Sequence, residues 1–109
     1  MSIRYRSYIE TAAGQTRNNI IGLDARNAPE IADPLQITYR PEGLPDGIAI
    51  ERGQQMYGGI GGQDKKGSRV ALKINIAPDV KPGEYSFAIH LDYEGKGLGS
   101  LPCTVKVLN

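Results

Sequence analysis

The sequence predicts an all-β domain, an antiparallel sandwich of about seven strands. Three observations predict it. Apolar residues recur at a two-residue period, fourteen glycines and seven prolines punctuate the runs, and no amphipathic helical stretch is long enough to carry a parallel crossover. At 109 residues, with 39% hydrophobic and 23% charged, the chain suits one core, and residues 1–109 read as a single domain without linker or repeat.

The elements follow in order. Ile3, Tyr5 and Ile9 share one face of the first run, opposite Arg4, Arg6 and Glu10. Ile21, Leu23 and Ala25 mark the second strand, and Leu35, Ile37 and Tyr39 the third. A turn-rich stretch from Pro41 to Gly47 precedes a short fourth strand with Ile48 and Ile50. The clearest alternation comes last: Val70 to Ile76, then Tyr85 to Tyr93, then Leu101 to Val107. Between the fourth and fifth strands, Tyr57 to Gly67 holds four glycines in five positions and reads as a mobile loop. Gly95 to Gly99 reads as the hairpin turn between the last two strands. The first and fourth strands are the expected sheet edges, where Arg4, Arg6 and Glu10 discourage pairing with another chain.

Composition excludes several functions. Thirteen Lys and Arg against twelve Asp and Glu leave +1, and the basic residues are spread along the chain, so nucleic acid is not an expected partner. No apolar run approaches the ~18 residues of a spanning helix, so membrane insertion by this segment is not expected. Met1 to Arg6 start polar and alternate, unlike a secretory signal; either the protein is intracellular or Met1 begins a piece of something larger. Cys103, alone, forms no intrachain disulfide and has the inward parity of a small core residue.

The segment Ile74 to Ile89, with Pro78, Pro82-Gly83 and Tyr85, resembles the immunoglobulin-like domains appended to bacterial alpha-galactosidases and repeated in prokaryotic surface proteins. Ile21 to Asn27 also looks like their second strand. The resemblance implies an immunoglobulin-like Greek key and an extracellular or cell-envelope setting. Independently, Pro82 and Gly83 suit a tight corner, and Tyr85 opens the next strand where sandwiches place a tyrosine whose ring packs inward and whose hydroxyl bonds upstream backbone.

Sites for chemistry are sparse. The one histidine, His90, lies on the outward side of its strand, and an enzyme would have to pair it with Asp92 on the same face. No zinc ligand set, calcium loop, P-loop lysine or nucleophile elbow is present, so no metal, cofactor or catalytic residue is expected. Tyr5, Tyr39, Tyr85 and Tyr93 share parity with core residues, leaving Tyr8 and Tyr57 for surface contacts. The expectation is a non-catalytic spacer or protein-interaction module of a larger secreted or envelope protein, its partners other proteins or neighbouring domains. One alternative is a carbohydrate- or surface-binding module that uses Tyr57, Gln63, Asp64, Lys65 and Lys66. The other is a free-standing intracellular protein-binding domain, cytoplasmic if the chain is complete.

Overall fold

The computed structural model describes residues 1–109, all of them without an α-helix long and apolar enough to cross a membrane. Eight strands form: β1 (Ser2–Arg4), β2 (Tyr8–Ala12), β3 (Thr16–Asp24), β4 (Thr38–Glu42), β5 (Ile48–Gly58), β6 (Asp64–Ile76), β7 (Gly83–Tyr93) and β8 (Lys96–Leu108). They make two four-stranded sheets, ordered β1-β3-β6-β5 and β2-β8-β7-β4. The inward residues of both sheets join in one core, as in a β-sandwich.

The alternation sets the faces. Val70, Leu72, Ile74 and Ile76 of β6 are buried against Phe87, Ile89, Leu91 and Tyr93 of β7 and Cys103, Val105 and Val107 of β8. Their alternates point to solvent.

The first run departs from its sequence reading as one strand. It supplies β1 to one sheet and β2 to the other, which raises the count from seven to eight. Asn19, only 3% exposed, makes the break possible: its amide donates to Arg6 O at 2.9 Å and accepts from Arg6 N at 3.2 Å. One side chain thereby satisfies both backbone groups where the chain leaves the ladder. The strands are also not all antiparallel, because β2 pairs with β8 in parallel, Tyr8 opposite Thr104 through Ala12 opposite Leu108. Sheet edges lie at β1, β5, β2 and β4, so the third sequence run is an edge alongside the first and fourth.

Two turns are narrower than the sequence predicts. The last hairpin closes on Glu94 and Gly95 alone, both at positive φ (49° and 79°), the geometry that follows strand twist. Gly97 and Gly99 belong to β8 and bracket a register shift that leaves Leu98 unpaired. The glycine-rich stretch is likewise mostly strand: β5 runs through Gly58 and β6 begins at Asp64, with one short 3₁₀ turn at Ile60–Gly62 between. Gly67 favours this, since a Cβ there would stand 3.2 Å from both Leu23 O and Asp64 Oδ2.

Candidate functional site

Five side chains near the β5–β6 hairpin were expected to contact a ligand, and four of them are engaged within the chain. The partners of Tyr57, Asp64 and Lys66 lie on the crossing segment from Ala25 to Ile37, which carries the chain from one sheet to the other, and the partner of Lys65 is Tyr57 itself. Tyr57 Oη donates to Asp33 Oδ1 at 3.0 Å, and this hydrogen bond, with burial behind it, pushes the phenol pKa up. Lys65 Nζ stands 4.2 Å from the Tyr57 ring centroid, covering one face of the ring that a sugar would need. Asp64 Oδ2 accepts from Arg26 Nη2 at 2.6 Å, while Oδ1 accepts from Lys66 N at 3.1 Å. Lys66 Nζ donates to Ile31 O at 3.2 Å, and its carbonyl accepts from Ala25 N at 2.7 Å.

Gln63 is the exception, an exposed side chain at the turn beside Ile60, which is 96% exposed. The hairpin therefore works as a strap. Its polar groups satisfy the backbone of a crossing segment that has no ladder of its own. Asp24 joins the same cluster: the Arg26 backbone N–H first, and then its guanidinium at 2.8 Å, hold the carboxyl below the usual range.

A second polar cluster lies on the outer face of the β2-β8-β7-β4 sheet. His90 and Asp92 do meet, Nε2 to Oδ1 at 3.3 Å. Sequence reasoning missed the third member, Ser100, whose Oγ lies 3.0 Å from His90 Nδ1. Ser100 faces His90 because β7 and β8 pair them directly, a register no local spacing announces. Glu42 and Arg40 of β4 flank the group at 3.8 Å from His90 Nδ1 and 3.6 Å from Asp92 Oδ2 respectively. The residue types are those of a hydrolytic triad, but the serine bonds Nδ1 and the carboxylate Nε2, and the set lies on a sheet face rather than in a cleft. No group of three or more His, Cys, Asp and Glu side chains is arranged to hold a metal ion.

The basic residues are not spread in space as they are in sequence. Arg4, Arg6, Arg17 and Arg69 border one groove of about 620 Å³ on the outer face of the β1-β3-β6-β5 sheet. Pairing β1 with β3 and β3 with β6 gathers Arg4, Arg17 and Arg69, the Asn19 bonds bring Arg6 alongside, and a nearly equal count of acids and bases along the chain hides it.

No family model matches the sequence, and no curated protein matches it. Among solved structures, the chain is similar to a family 123 glycoside hydrolase from Clostridium perfringens, whose structure was described for glycolipid glycan hydrolysis. The likeness has a TM-score of 0.61 at 16% identity and covers 94% of this chain but 23% of that one. At that identity it shows the fold alone.

Proposed function

We propose that the chain is a non-catalytic immunoglobulin-like module, a spacer or protein-interaction domain within a larger secreted or cell-envelope protein. The strand order carries this reading. If β1 and β2 are two halves of a first strand A, β3 to β8 become B to G, and the sheets read A-B-E-D and A-G-F-C, the immunoglobulin plan. The corner adds support: Tyr85, at the start of strand F, donates its hydroxyl to Lys81 O four residues upstream. A similar fold makes up 23% of a much longer hydrolase chain, which is how a module would be used.

A non-catalytic role fits the His90 cluster, whose members sit on strands with no enclosing wall to exclude water. Ligand binding at the hairpin rests on Gln63 and the exposed tip, since the other four side chains would have to leave their present partners. Immunoblots of fractionated native cells with antibody to this domain test the module reading. A band well above 11.8 kDa in the envelope or medium is expected. A soluble band at 11.8 kDa would replace it with a free-standing intracellular protein.

A further inference from the structure

The outer face of the β1-β3-β6-β5 sheet carries a row in register across all four strands: Arg4, Gly22, Arg69, Met56. The two arginines flank a glycine, so a gap without side chains separates their guanidinium stems. A Cβ on Gly22 would find only Arg4 O, at 4.0 Å. One step along the strands, Ile20 pairs with Ala71, and Ile20 is 60% exposed. Ile20, Ala71 and Met56 form a short apolar strip beside the arginines.

Four arginines on this side of the molecule have no ion-pair partner. The ion pairs of the molecule belong to Arg26 and Arg40, and none involves Arg4, Arg6, Arg17 or Arg69. Arg69 has one side-chain bond, to Gly59 O at 3.3 Å. Asp24 and Asp64 share a groove with Arg4, Gly22 and Arg69, but both pair with Arg26, so the four guanidinium groups repel one another without an ion-pair partner.

We propose that this face docks a protein partner through an acidic segment. Carboxylates of the partner would seat on Arg4 and Arg69 above Gly22, and an apolar side chain between them would cover Ile20, Ala71 and Met56. Arginine matches a carboxylate bidentately. The composition favours protein over a polyanionic polymer. Arg and Met are enriched at protein interfaces and Lys depleted, and no lysine borders these grooves although the chain has six. A linear polyanion would gain nothing from an exposed aliphatic strip, and a single-stranded nucleic acid would use aromatic faces to stack on. Tyr5, the one aromatic bordering the groove, spends its hydroxyl on Pro102 O at 3.0 Å. The inference rests on the interaction-module reading and names the partner's chemistry.

Amide chemical shifts of the whole chain, titrated with defined probes, test it. The probes are a short peptide of glutamates around a central leucine, the same peptide with lysines for glutamates, polyglutamate, and heparin. The acidic leucine peptide should move the amides of Arg4, Ile20, Gly22, Met56 and Arg69, and the lysine peptide should move none. R4E and R69E, both at exposed positions, should each weaken that binding at least about tenfold with an unchanged Tm. I20S should abolish the preference over polyglutamate. Shifts elsewhere, or none, overturn the proposal; equal binding of heparin and polyglutamate, indifferent to I20S, overturns it in favour of a general polyanion surface. The immunoblot outcome is independent, so a free-standing protein could still dock a partner here, and a module of a larger protein could fail to.

Discussion

Cys103 illustrates what burial does to one side chain. It is 4% exposed within the core, its thiol donates to Leu101 O at 3.7 Å, and burial pushes its pKa from 9.0 to about 11. The thiolate is the reactive form, so maleimide or disulfide reagents at pH 8 should label the native protein far more slowly than the urea-unfolded chain. The same shift ties stability to pH. The folded state favours the neutral thiol, so its contribution is whole below about pH 9 and is lost as the pH rises through about 11. Urea midpoints measured across that window should fall more steeply for the native sequence than for Cys103→Val. Equal slopes would place the thiol in water.

Tyr85 needs a correction at this scale. Its ring was expected to pack inward, but it is only half-buried and leans on the core's rim. Tyr85→Ala should cost about 2 kcal/mol rather than the 3–5 of a fully buried aromatic. Tyr85→Phe, which loses only the bond to Lys81 O, should cost about 1 kcal/mol. Chemical denaturation of both variants reads this directly, and no loss in the phenylalanine variant would remove the corner bond from the account.

Among the elements, the division of the first run is the most informative. Ile3, Tyr5 and Ile9 keep one parity on both sides of the crossing, and the only local sign of the break is Ser7 in an apolar place, so periodicity alone does not assign the two halves to different sheets. The element that decides it is β3, whose Asn19 meets the Arg6 backbone. Asn19→Ala would leave both an N–H and a C=O without partners in a part-buried place, a loss of about 1–3 kcal/mol. Hydrogen exchange should then quicken in β1 and β2 while β7 stays protected; uniform quickening would mean that Asn19 supports the whole core instead. The hairpin strap follows similar logic. Tyr93 Oη accepts from Ala32 N at 3.1 Å and Asp33 N at 3.2 Å, so Tyr93→Phe should destabilise the crossing segment by about 1–3 kcal/mol even though the ring still fills its place. A double-mutant cycle with Tyr57→Phe, which loses the bond to Asp33, should show coupling between the two sides of that segment.

At the scale of the whole molecule, the two sheets share one core, and unfolding should be a single transition. Ile21 from one sheet and Ile89 from the other are 0% and 2% exposed. Alanine at either should lower the same Tm and cost about 2–5 kcal/mol. Two separated transitions in calorimetry would mean that the sheets are stable apart. The sequence by itself determined the all-β class, the inward faces of β6, β7 and β8, the buried Cys103 and the place of the Tyr85 corner. Each follows from side-chain parity or turn chemistry within a few residues, which the chain carries locally. Only the tertiary structure decided that the first run serves both sheets, that Ser100 stands against His90, that the hairpin's polar side chains strap the crossing segment, and that four arginines border one groove. Those facts depend on which distant strands pair and in what register. Such pairing is settled by the fit of the whole core, and a two-residue period has no means of recording it.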